Sequence, residues 1–410
     1  MRKVMKVNLL PFLLIILLIT TNDYQCHAGT ADTSSIHTGR SQQDKIPSFF
    51  SFETSYISDF AYNLSGGIKT GGTYLGMANM RAVFDTDIAG LWKGGQLFVN
   101  AANIHSRQSF TEFVGDIQVA SNIDAGNHTY IQELWYKHVI KDLEITAGLQ
   151  DMNAEFASSE YGGLYLNSSF GILPIISGNV CAPIFPLTSL GLTVKWNISD
   201  DISWLTALYD GCPTPFENNP FNLNWRFSKQ DGIIAVSEVQ YSTSFNNKPG
   251  IFKAGVISSN NNLFNGPQLN DSSSRDIFGI YFMADQQLWQ NGNRSFGVFS
   301  QIGYSPTDVT DLGVYFGGGF NLTGAFTKKG TDNLGISVGC VNPTFKIVDN
   351  AEQTPTLRDN CETAIELTYN FSVSKHFFIQ PDLQYIIKPS GTGGTLNNAF
   401  VGILRLGITF

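Results

Sequence analysis

From Phe400 to Phe410 every second residue is apolar or glycine: Phe400, Gly402, Leu404, Leu406, Ile408 and Phe410. The intervening positions, Val401, Ile403, Arg405, Gly407 and Thr409, form a second face that carries a charge. A period of two is the signature of a β-strand with two unlike faces. A terminal strand that is wholly apolar on one side and charged on the other must separate two different environments. The rest of the chain has to supply its neighbours.

Alternating segments recur from about residue 55 onward. Leu143, Ile145, Ala147 and Leu149 oppose Glu144, Thr146, Gly148 and Gln150. Thr363, Ile365, Leu367, Tyr369 and Phe371 oppose Glu362, Ala364, Glu366, Thr368 and Asn370. Phe377, Ile379, Pro381, Leu383, Tyr385 and Ile387 oppose Phe378, Gln380, Asp382, Gln384 and Ile386. The pattern predicts about sixteen strands, near 55–65, 73–86, 94–105, 130–140, 143–151, 190–198, 201–210, 231–243, 250–258, 275–287, 295–304, 312–323, 333–343, 361–371, 376–388 and 399–410. Two segments are less regular. Strand 94–105 is apolar on both faces, and in 130–140 the faces defined by Gln132, Tyr136 and His138 against Glu133 and Trp135 are ambiguous.

The connections carry independent information. Lys141-Asp142, Ser199-Asp200, Asn246 to Gly250, Asn291-Gly292-Asn293 and Ser372 to Lys375 are tight and use turn-forming residues. Between them lie long stretches at 106–129, 152–189, 211–230, 259–274 and 344–360. Short turns at one end and long loops at the other are expected of a transmembrane antiparallel β-barrel. Composition agrees, since only 14% of residues are charged, against about 25% in ordinary globular proteins. The 31 Phe residues suit a lipid-facing band with aromatic girdles. Loop 152–189 contains Phe170, Ile172, Leu173, Ile175 and Ile176 and is too apolar to stand in water. It is expected to fold into the lumen and narrow it.

The N-terminus fits export to an outer membrane. Arg2, Lys3 and Lys6 precede the apolar run Val7 to Thr20, and Cys26-His27-Ala28 offers a cleavage site. Residues 1–28 therefore read as a signal peptide, 29–54 as a polar leader and 55–410 as the barrel. The run is short for a spanning helix. Four cysteines remain after cleavage, and three pairings are open to them. Cys181–Cys212 and Cys340–Cys361 are favoured because each pair would lie on neighbouring loops or strand ends. No Cys/His spacing suggests a metal site, and no cofactor is expected. The net charge of −9 argues against nucleic acid or anionic lipid as a partner.

The polar faces would line the lumen. Asn79, Arg81 and Asp85 share one face, and Glu238 shares another with Gln240. Glu362, Glu366, Gln380, Asp382, Gln384 and Arg405 share the inward side of the last three strands. Mixed carboxylates, amides, guanidinium groups and nearby aromatics suit a neutral polyhydroxyl solute. A phosphate channel would use runs of Lys and Arg instead. Placed inward, Arg405 is expected to pair with Glu366 or Asp382, and its loss to weaken solute binding without unfolding the barrel. Glu362 and Glu366 lie about 13 Å apart along one strand, too far for a glycosidase pair. No hydrolase, zincin or phosphate-loop motif occurs, so no enzymatic activity is expected.

Over residues 55–410 the chain resembles the carbohydrate-selective porins of the OprB family. The resemblance runs in order through Thr73-Tyr74-Leu75-Gly76, Leu91-Trp92-Lys93-Gly94-Gly95, Val114-Gly115-Asp116-Ile117-Gln118 and Gln132-Glu133-Leu134-Trp135-Tyr136. It continues through Leu166-Asn167-Ser168-Ser169-Phe170-Gly171, Gln380-Pro381-Asp382-Leu383-Gln384-Tyr385 and Leu404-Arg405-Leu406-Gly407. It implies a sixteen-stranded outer-membrane barrel passing monosaccharides such as glucose by facilitated diffusion. The family's lumen and constriction positions carry over to Arg81, Glu366, Gln384 and Arg405. The cysteines and the acidic charge depart from the family pattern. Implied partners are sugar solutes, outer-membrane lipid and the barrel assembly machinery through the C-terminal strand, with the protein a monomer or a homotrimer. Two other readings are a general or cation-preferring porin, favoured by the net charge, and a plugged structural or adhesin barrel.

Overall fold

The computed structural model describes residues 48–410, except 230, 261–275, 307–309, 328, 344–345, 349–354, 358–360 and 392–395. The expected signal peptide and most of the leader lie outside these residues. Sixteen strands close into one antiparallel barrel. They are β1 Phe50–Gly67, β2 Gly71–Asp85, β3 Gly95–Ser106, β4 His128–Ile140, β5 Leu143–Gln150, β6 Ser189–Asn197, β7 Ile202–Asp210 and β8 Ile233–Phe245. The circuit continues with β9 Lys248–Ser259, β10 Ile277–Asn291, β11 Arg294–Tyr304, β12 Leu312–Thr323, β13 Asp332–Pro343, β16 Glu362–Ser372, β17 Phe377–Ile387 and β18 Asn397–Thr409. A small separate hairpin, β14 Lys346–Val348 with β15 Pro355–Leu357, sits in the connection after β13. The first strand begins at Phe50, so the last residues of the expected leader belong to the wall.

Each strand pairs with its sequence neighbours, and β1 pairs with β18 to close the wall. Closure removes the exposed edges that an open sheet would present. Large apolar side chains such as Phe60, Leu97, Leu208, Phe282, Phe316, Leu383 and Leu404 point outward and are exposed. The alternation read from β16, β17 and β18 matches the burial pattern of those strands.

Phe410 completes the seam. Its backbone N–H donates to Thr54 O at 2.8 Å, and its carbonyl accepts from Thr54 N at 3.0 Å. The ring stacks on His376 with centroids 5.8 Å apart. Deleting Phe410 is expected to lower the yield of heat-modifiable folded protein in the membrane fraction. Normal yield would show that the seam closes without it.

The β-bulge between β3 and β4 resolves the ambiguous strand. Asn100 opposes Glu133, but Ala101 opposes Ile131, so Gln132 is the extra residue. An inserted residue shifts the alternation. Tyr130 and Gln132 are buried before the shift, and Lys137 reaches Glu155 of the following loop after it. A strict period of two cannot hold across such a site.

The inward apolar residues have a second explanation. Loop 107–127, with its helical turn Thr111–Val114, folds inside and packs Phe110, Val114 and Ile123 against Leu75, Ala102, Ile104 and Val401. Strand β3 is therefore apolar on both faces because one faces outward and the other faces a loop. Loop 151–188 also folds inward, burying Met152, Phe156, Leu173, Ile175 and Ile176 against Leu205, Val236, Tyr281 and Tyr315. Full burial of each such side chain contributes about 1.5–3 kcal/mol. Two wall glycines make room for it. A Cβ on Gly297 would fall 2.1 Å from the Tyr161 ring, and one on Gly335 would fall 2.7 Å from the Tyr165 hydroxyl.

Cys181 lies beside Cys212, and Cys340 beside Cys361, with Cα separations of 4.9 and 5.9 Å. Both spacings suit a disulfide. Closing loops of this length would constrain the unfolded chain by about 3–4 kcal/mol each in the chain-entropy model. Non-reducing peptide mapping of the membrane-extracted protein is expected to recover these two pairs. Free thiols or a crossed connectivity would overturn the assignment.

Candidate functional site

The barrel wall holds the two inward loops through side chains that accept from loop backbone. Glu366 on β16 accepts from Leu166 N at 2.6 Å and Asn167 N at 3.1 Å. Four residues earlier on the same face, Glu362 accepts from Ile117 N and Gln118 N of the other loop at 2.9–3.0 Å. Gln384 bridges both loops, donating to Ala120 O at 2.7 Å and accepting from Asn167 Nδ2 at 3.2 Å. Gln380 donates to Leu164 O at 2.8 Å. Across the lumen, Glu238 accepts from Ala157 N, Asp285 from Ser159 Oγ, and Lys253 donates to Ser158 O. Each loop is thus stitched to the wall across the interior.

Arg405 sits at the closing seam. It opposes Asp59 in the β1–β18 register. Its Nε and Nη2 donate to the two Asp59 carboxylate oxygens at 2.7 and 2.8 Å, and Nη2 also donates to Asn122 Oδ1 at 2.7 Å. Ser121 Oγ donates to the same carboxylate at 2.7 Å. The expected partners, Glu366 or Asp382, are replaced by Asp59. The reason is geometric: pairing of the first and last strands brings residue 59 directly opposite residue 405.

Of the four residues carried over from the family, only Arg81 lines the open cavity. Glu366 and Gln384 are 0% exposed and Arg405 is 3% exposed, all beneath the inner loops. Arg81 keeps 29% of its side chain exposed and pairs with Glu53 at 3.4 Å. The cavity holds about 590 Å³. One wall is β2 and β4, with Met77, Asn79, Arg81 and Gln132. The others are the two inward loops, with Asn122, Asp124, Ser158, Ser159 and Tyr165, and the start of the β7–β8 connection at Cys212. The lining from loop 107–127 escaped sequence reading, because that stretch shows no long apolar run. Asp59 escaped it too, although its place on a strand among outward Phe60, Tyr62 and Leu64 marks it as inward.

Two lining loops carry perturbed acids. Asp151, just past β5, caps the turn at Met152–Ala154 by accepting from Asn153 N, and it also accepts from Phe185 N. Burial, followed by the nearby Glu133 carboxylate, pushes its pKa up to about 7. Burial also raises Asp124, against the hydrogen bonds it accepts from Ser109 and the backbone of Phe110 and Thr111.

A closed sixteen-stranded wall, an apolar exterior and a lumen narrowed by an inward loop define a porin, an outer-membrane channel rather than an enzyme. The model of the carbohydrate-selective porin family OprB matches residues 69–410, and the chain belongs to that family. Among solved structures it is similar to the high-pH structure of Pseudomonas putida OprB, with a TM-score of 0.77 and 19% identity over 88% of this chain and 94% of that one. The low-pH structure of the same protein gives a TM-score of 0.54 at 19% identity, over 88% of this chain and 92% of that one. At this identity the likeness establishes the fold. No curated protein matches the sequence.

Proposed function

We propose that this porin passes neutral monosaccharides such as glucose passively into the periplasm. The observation that carries the reading is the cavity itself. Its lining mixes one guanidinium, the Asp124 carboxyl, several amides and hydroxyls, and the Tyr165 ring, with the Arg81 charge offset by Glu53. Such a wall donates to and accepts from hydroxyls without a net field that would concentrate anions. Loops 107–127 and 151–188 act together as the constriction. In this reading the exposed apolar band faces outer-membrane lipid, the tight-turn end faces the periplasm, and the β18 end engages the barrel assembly machinery.

Conductance of the purified protein in planar bilayers tests the reading, with glucose titrated on one side. The expected result is an open channel whose current falls as glucose is added. A channel indifferent to glucose would favour general diffusion, with cation preference following from the net charge of −9. A barrel that never conducts would favour a plugged structural role.

A further inference from the structure

The bulge in β4 does more than shift a register. It leaves Gln132 unpaired on the inward face it shares with Tyr130, where the residue is 5% exposed and lines the cavity. Gln132 Oε1 has no hydrogen-bond partner among the described residues. On β2, Asn79 is 3% exposed, lines the same cavity and also holds its Oδ1 without a partner. A buried amide carbonyl without a partner costs about 1–3 kcal/mol, and both of these belong to residues that line the cavity. Two positions along β2 from Asn79, Arg81 supplies donors to the same cavity.

We propose that Asn79 and Gln132 are the specificity-determining residues of this pore, and that they accept from hydroxyl groups of a neutral sugar while Arg81 donates to its oxygens. This rests on the sugar-channel reading above and adds to it the rule of selection. Unpartnered carbonyl oxygens on two strands of one wall, with β3 between them, repel an anionic group and have nothing to accept from a position where a hydroxyl is missing. Arg81 does not reverse this, because Glu53 lies 3.4 Å away and Glu133 is also within its field. The pore therefore selects neutral polyhydroxyl solutes over sugar acids of the same size.

The test uses the full-length protein in planar bilayers, with glucose and glucuronate as probes. Block is expressed relative to each channel's own sugar-free current. Wild type is expected to bind glucose about tenfold more tightly than glucuronate, and Asn79→Leu and Gln132→Met each to weaken glucose block about tenfold, the loss of one hydrogen bond. Equal or tighter block by glucuronate in wild type would overturn the inference, and that measurement needs no variant to fold. Glucose block within twofold of wild type in both folded variants would also overturn it while leaving the sugar reading intact. Absence of block by either probe in a conducting wild type would overturn the sugar reading, and the inference with it.

Discussion

Arg405→Ala is expected to be the most damaging single substitution in the wall. It strips the buried Asp59 carboxylate of both guanidinium bonds and leaves its charge without compensation. Breaking a buried pair by removing one partner costs about 3–5 kcal/mol. The cost falls on the β1–β18 seam, the last contact needed to close the cylinder. The variant should assemble poorly and unfold at lower urea concentration, followed by loss of heat-modifiability. The double variant Asp59→Leu with Arg405→Met removes both charges and should recover most of the loss. If Arg405→Ala assembles and resists urea like the parent, the pair does not hold the seam. A weakened sugar block in a normally folded Arg405→Ala barrel would instead restore the expectation drawn from the sequence alone.

The second large effect is expected at Glu366. Replacing it with leucine leaves the Leu166 and Asn167 N–H groups without their acceptor inside the barrel. Each orphaned donor costs about 1–3 kcal/mol, so segment 164–167 is destabilised by about 2–6 kcal/mol against the wall. The barrel strands pair through their backbones and should persist. The inward loop should loosen, so single-channel conductance should rise and sugar block should weaken together. Glu366→Gln keeps one carbonyl oxygen for the loop and should show a smaller change of the same sign. A Glu366→Leu channel with parental conductance and parental block would show that the apolar contacts of Phe156, Leu173 and Ile175 seat the loop unaided.

Both substitutions concern residues whose inward direction could be read from the sequence and whose role could not. The alternation around Arg405, Glu366 and Gln384 places them on the face opposite Leu404, Leu367 and Leu383, and the burial pattern agrees. Inside an empty cylinder those groups would meet water and solute. In this protein two loops occupy that space, and the same groups bind loop backbone. Loop 151–188 announced itself through Phe170, Ile172, Leu173, Ile175 and Ile176, because apolar residues in a long connection need a buried place. Loop 107–127 did not, since Phe110, Phe113, Val114 and Ile123 are scattered among polar neighbours.

What the sequence determined by itself is local and periodic. A strand's two faces repeat every second residue, so sixteen strands, their turns and the outward band can be read from short windows. What only the tertiary structure decided is which distant residues meet. The Asp59–Arg405 pair spans the closing seam between the first and last strands. The bulge at Gln132 exists only as a mismatch between two strands. Glu366 serves as a loop anchor only because a segment 200 residues away returns to it. No window of sequence contains both partners of such a contact, and the period of two carries no information about what fills the barrel.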